Sequence, residues 1–388
     1  MTLGNPALFA VTSLWIGAIL CGCKPQGLDR TVLDRELLQA AANGDIALAQ
    51  QSLKQGARIE TQDERGVTPL ILAAERSQDA MVKFLLEKGA NLSAKDHSGW
   101  TPLVHSARTG NLDMVALLLA SKPDIADKNQ ALLAAAGSGP VRIVIDAAQE
   151  GTSNAPREDS REVKTTKLLL ANGAEIDSRD ANGDTPLIRA AGYGQTDIVR
   201  LLLDRGANVE ATNHEGQSAL AAAACVCAIA TMNDTLEIEK MLLERRGNIG
   251  ARDKQGWLAL LSAAGWGRVH NVKLLLDHGA DIETTDDDGN TALIIASSGS
   301  ALSTIDTVRL LLNRGANVEA KNNHGDTALL VAASEDGADS IGIVKLLLSK
   351  GANRRAQNAD GSTPLALAKQ NGRDEIVQLL QKATTRTR

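Results

Sequence analysis

The chain has 388 residues, a net charge of −6, a pI of about 5.6 and 2% aromatic residues. The length alone allows two or three globular domains. An acidic balance with no basic stripe or tail argues against a nucleic-acid partner, which needs clustered Lys and Arg to displace counterions. Scarce aromatics beside abundant Ala and Leu favour closely approaching helices over a bulky aromatic core.

Residues 1 to 23 stand apart from the rest. Ala7 to Leu20 is an uncharged run of 14 residues, short for a membrane span but suited to a signal-peptide core. Leu20-Cys21-Gly22-Cys23 follows. This resembles a bacterial lipoprotein signal, with Leu three before the modified cysteine and Gly just before it. Cys21 at the middle position and the lack of Lys or Arg ahead of the apolar run depart from that pattern. The resemblance implies a signal peptide over 1–22, lipidation at Cys23 and a tether over 23–31. It also implies export to a bacterial envelope, the only membrane contact being the lipid anchor, facing the periplasm. A plainly cleaved signal, and an uncleaved anchor or a misassigned start codon, are the alternatives.

From Val32 onward one unit is repeated about ten times, and the stretch Ala181 to Asn213 shows it best. Gly183 marks a turn, Thr185 a helix cap and Pro186 the first helical position. Leu187, Ala190 and Ala191 give one short helix with a small-residue face. Ile198, Val199, Leu202 and Leu203 give a second helix at i, i+3, i+4 spacing, closed by Gly206. Neither helix can bury its apolar face alone, so the units must stack.

In chain order, Val32 to Asp63 is a degenerate capping unit. Units two and three are regular until Lys122-Pro123 stands where Gly-Ala belongs. Unit four opens near Gln130 after a hairpin about four residues short, then carries an insertion over about 138–162. This junction is expected to be the weak joint of the stack. Unit six has about seven extra residues around Ile229 to Thr235, and Arg246 replaces its closing Gly. Unit seven has Leu258 at the capping position. Units eight and nine each carry about three extra residues between helices, and unit ten ends in a polar tail.

The recurring G-x-T-P-L…A-A…G…V-x-x-L-L…G-A pattern resembles the ankyrin repeat. Thr68-Pro69-Leu70, Thr101-Pro102-Leu103 and Thr363-Pro364-Leu365 carry its opening. The resemblance implies an all-α solenoid of stacked helix pairs joined by β-hairpin-like turns, running from 32 to 388 and monomeric. It also implies protein recognition, in which partner contacts come from hairpin tips and the ends of first helices. The His that often follows T-P-L is replaced by apolar residues such as Ile71, Val104 and Ile188.

No nucleophile elbow, phosphate loop or H-E-x-x-H motif is present, and no catalytic residue, cofactor or metal is expected. Asp286-Asp287-Asp288-Gly289 lacks the acids a calcium loop needs at its first and twelfth positions. Cys225 and Cys227 read as small buried residues, with a metal or redox pair as the other reading. The aromatics are more informative. Of the five after Cys23, four fall on contact positions: Trp100 and Trp257 just before the opening, Tyr193 and Trp266 eight after it. Only Phe84 lies elsewhere. With neighbours His97, Arg108, Asp184 and Lys254, these rings are expected to form an exposed partner-binding stripe on the concave face. At the 8–10 Å spacing of packed helices the stripe would span about 40 Å. The sequence thus describes an exported, non-enzymatic binding module: a scaffold, or an inhibitor or immunity partner of an envelope protein. A structural envelope spacer without a dedicated ligand is the alternative.

Overall fold

The computed structural model describes residues 29–137, 160–224, 232–254, 257–299, 304–337 and 339–382. The expected signal peptide and Cys23, most of the insertion in unit four, and Cys225 and Cys227 lie outside them. The described residues form 20 α-helices and no named strand. Two isolated β-bridges, Thr212 to Ser218 and Thr285 to Thr291, join hairpin arms among them. The chain divides into two compact units, Met1–Ala131 and Leu132–Arg388.

Within each unit the local chemistry is that expected of the repeat. Thr68, Thr101, Thr185, Thr291, Thr327 and Thr363 each accept the N–H three residues on, which satisfies one orphan donor of a short helix and contributes about 1 kcal/mol. Leu258 caps nothing with its side chain. First helices pack on first helices of the next repeat, as Pro186–Gly192 does on Ala219–Ala224. Second helices pack on second helices, as Thr196–Asp204 does on Met232–Glu244. The first-helix layer is built on small residues: Ala73, Ala190, Ala223, Ala263 and Ala332 are fully buried. A larger residue there would overpack the interface. The positions where His was missing are sealed by Ile71, Val104, Ile188, Leu261 and Leu330, all buried.

The closing positions carry the sharpest backbone demand. Gly89, Gly173, Gly206, Gly279, Gly315 and Gly351 hold φ between 84° and 92°. Where the sequence lacks Gly the backbone keeps the left-handed turn: Lys122 holds φ 57° and Arg246 holds φ 62°. A side chain at such an angle is strained by about 1–2 kcal/mol.

Three segments differ from the sequence reading. The capping helix runs Arg30–Asn43, capped by Asp29, so it begins ahead of Val32. Asp34 of that helix anchors it to Arg58 at 2.6 Å. After Lys122 no hairpin forms; the helix Ile125–Ala136 starts at once. Gln130, expected as the opening residue, lies inside it and donates to the Gly99 carbonyl at 3.0 Å. Without room for a hairpin, the chain satisfies its backbone by adding a helical turn. The division between the two compact units falls within this helix. In repeat six the helix Met232–Glu244 absorbs part of the extra residues as an added N-terminal turn.

Candidate functional site

The hairpin tips are built from one repeated device. An Asp or Asn five residues before the opening position accepts two N–H groups from its own turn. Asp63 takes those of Arg65 and Val67, Asp96 those of Ser98 and Trp100, and Asp180 those of Asn182 and Asp184. Successive tips are then joined by one backbone bond each. His97 donates to the Arg65 carbonyl, His214 to Asn182, Asn323 to Asp288 and Ala359 to His324, each at 2.9 Å. Glycine allows this approach: a Cβ on Gly66 would fall 2.5 Å from His97 Cδ2. Within each unit these bonds tie neighbouring tips together, and the ends of the first helices lie behind them.

In the first unit the expected residues are Trp100, His97 and Arg108. Trp100 is half-buried rather than exposed, because its neighbours enclose the ring. The Arg108 guanidinium sits 4.7 Å from its centroid, and the His105 ring meets it edge-on at 5.3 Å. His105 is buried, with Nε2 2.8 Å from Asp96 and Nδ1 3.1 Å from Glu75 of the preceding repeat. Arg65 lies 3.7 Å from the same Glu75. Burial pushes the Asp96 carboxyl up, but bonds from Trp100 N–H, His105 and Ser98 N–H outweigh it and hold its pKa below the usual range. His97 is exposed at the tip. The sequence reading passed over His105 and its two carboxylates. Their signal is a basic residue nine positions after the tip Asp, which recurs in the second unit as Asp180 and Arg189.

In the second unit that pair is closed at 2.8 Å, and Arg189 lies 5.8 Å from the centroid of the Tyr193 ring. Tyr193 is 40% exposed and Trp266 47% exposed. Each is the C-cap of its first helix, so the two rings occupy one position of two repeats. Asp184 is half-buried and accepts the Asn213 amide at 2.8 Å. Lys254 is exposed at its tip but neutralised by Glu215 at 2.8 Å. Trp257, expected to be exposed, is half-buried against the core. Its ring lies 3.6 Å from where a Cβ on Gly265 would stand, so it folds into the space that glycine leaves.

Among the described residues no group of three or more His, Cys, Asp or Glu is placed to hold a metal ion. Asp286 is buried and spends its carboxylate on the Asn290 N–H and amide. No described helix is long and apolar enough to cross a membrane.

Comparison with known proteins returns a family described as Ankyrin repeats (3 copies), matched over residues 37–131, 158–230, 227–322 and 301–387. Protein fem-1 homolog A of Danio rerio is 35% identical over 83 residues, which is 21% of this chain and 14% of that protein. A putative ankyrin repeat protein of Rickettsia bellii (strain RML369-C) is 43% identical over 51 residues, 13% of this chain and 15% of its own length. Protein phosphatase 1 regulatory subunit 27 of Homo sapiens is 44% identical over 57 residues, 15% of this chain and 37% of that protein. The chain thus spans well under two thirds of each of these relatives.

Proposed function

Since the chain belongs to the ankyrin-repeat family, an interaction module, we propose that it binds a protein partner on the face made by its hairpin tips and first-helix ends. The observation that carries this reading is the exposure of Tyr193 and Trp266 at one repeat position. Large rings left in water at a stacked, rigid face are the usual anchors of interfaces. Asp184 and the Lys254–Glu215 pair form the polar rim of the patch. In the first unit His97 and Arg108 flank Trp100.

The action of such a module is binding rather than catalysis. One relative carries the name of a regulatory subunit of protein phosphatase 1; by analogy, occupation of the face here regulates the partner. The leader motif Leu20-Cys21-Gly22-Cys23 adds the location. The chain is exported, lipidated at Cys23 and held at a bacterial envelope membrane as a scaffold, inhibitor or immunity partner of an envelope protein. Two acyl chains or more hold a protein stably to a bilayer. The half-buried state of Trp100 and Trp257 favours a second reading for those two rings, as stacking elements of an envelope spacer.

Affinity purification of the full chain from membranes separates the two. One stoichiometric partner, lost on Trp266→Ala, is the expected result; a diffuse set unaffected by that change supports the spacer. For the anchor, Cys23→Ser should shift the protein to the soluble or unprocessed fraction. Unchanged processing and membrane attachment would remove lipidation from the account.

A further inference from the structure

The contact positions of repeats eight to ten differ in charge from the rest of the second unit. They carry Asp287, Asp288, Asp326, Glu335 and Asp360 and no Lys or Arg. Asp287, Asp288, Glu335 and Asp360 are exposed, and Asp326 is half-buried. Among the described residues the ion pairs of these repeats, Arg309–Asp306, Arg314–Asp277 and Arg373–Asp336, lie on the second helices and their flanking turns. They use none of the five carboxylates.

Behind this acidic edge runs an apolar floor. Ile295, Val331 and Leu367 stand four residues after their opening Thr and are half-buried. That position shares a face with the aromatic position, as the closeness of Arg189 to Tyr193 shows. The floor joins the tryptophans. A Cβ on Gly265 would lie 3.1 Å from Ile295 and 3.6 Å from Trp257, and Trp266 follows Gly265 directly.

We infer that this face receives an extended, basic segment of the partner protein, with Lys or Arg facing the tip carboxylates and large apolar side chains on the Ile295–Val331–Leu367 floor. The inference rests on the reading that the tip face binds a protein. The charge complement decides the chemistry: a row of carboxylates, of which Asp326 accepts only the neutral Asn358 amide, repels acidic partners and draws cationic ones, with strong salt dependence. The spacing adds a pattern. Stacked helices stand roughly 8–10 Å apart, and an extended chain rises about 3.3 Å per residue. A basic residue about every third position would therefore meet one carboxylate per repeat.

The test is selection of a displayed library of random 12-residue peptides on the immobilised full chain, with counter-selection on its Trp266→Ala variant. The expected result is Trp266-dependent peptides enriched in Lys or Arg. A synthetic copy of such a peptide should bind at least tenfold more weakly to the Asp288→Asn, Glu335→Gln, Asp360→Asn triple variant. It should also weaken at least tenfold between 0.05 and 0.5 M salt. Circular dichroism of the triple variant should match the parent, since these exposed carboxylates hold no ion pair. Trp266-dependent peptides without basic enrichment would overturn this inference and leave the binding face standing. Failure to obtain any Trp266-dependent peptide would overturn both.

Discussion

Trp100 and Trp266 both lie on contact positions of their repeats, yet the structure treats them oppositely. Around Trp100 the position four after the opening is His105, which draws in Asp96 and Glu75 and presents an edge to the ring. Arg108 covers another side. In repeat seven the same position is Ser262, which is small and buried. Trp266 is left 47% exposed. Position within a repeat says where a ring sits. The side chains packed around it say how far the protein itself covers it: His105 and Arg108 enclose Trp100 and Trp257 packs over Gly265, whereas Trp266 stays exposed.

Breaking the closed region should give the largest effect. His105→Ala removes the group shared by two carboxylates, leaving Asp96 its two N–H bonds and Glu75 its contact with Arg65, and the loss of such charge-assisted bonds costs roughly 1.5–3 kcal/mol. Urea unfolding should show a loss of that order, while Ser262→Ala, at the matching place in repeat seven, should change stability by about 1 kcal/mol or less. The Asp96 carboxyl, held low, contributes stability that is present above the usual carboxylate range and is lost as pH falls through its folded pKa. The parent should therefore lose stability in acid faster than His105→Ala does.

Glu239 sharpens the contrast, because it is a buried carboxyl without such partners. It is fully buried in the helix Met232–Glu244, where other repeats place Val199 or Val272. Burial pushes its pKa up to about 7, against weaker pulls from Asn271 and Arg268. The folded state binds the proton more tightly, so stability is full below the ordinary value of 4.5 and falls as pH rises through about 7. The shift corresponds to something on the order of 3 kcal/mol at pH 8. Glu239→Val should raise the melting temperature at pH 8, by much less at pH 5, and remove most of that slope.

A smaller effect is expected at the closing turns. Lys122→Gly and Arg246→Gly should each stabilise by about 1 kcal/mol, because glycine relieves the left-handed strain that both positions hold. Gly206→Ala should destabilise by a similar amount at the regular repeat. Equilibrium unfolding of the three variants checks the sign in each case.

The fold was legible because its determinants are local. Thr185 caps, Pro186 starts, Gly206 closes, and each acts within a turn of its own position. Even Lys122 and Arg246 could be read as occupants of a glycine place. The helix Ile125–Ala136 was not legible, because a shortened hairpin and an extended helix spend the same residues, and only packing chooses between them. The candidate site was legible in position but not in exposure. Trp257 settles over Gly265, a glycine whose own close neighbours include Ile295 of the next repeat. His105 depends on Glu75 from the repeat before. Spacing within one repeat cannot report a neighbour's side chain.

The most direct measurement takes Trp257→Ala and Trp266→Ala through the same pair of assays, capture of the partner from membranes and thermal unfolding of the full chain. Trp266→Ala should lose on the order of 2 kcal/mol of binding with a melting temperature within a degree or two of the parent. Trp257→Ala should melt clearly lower. Normal capture by Trp266→Ala together with a lowered melting temperature would show that the exposed ring serves the stack, and would contradict the binding face.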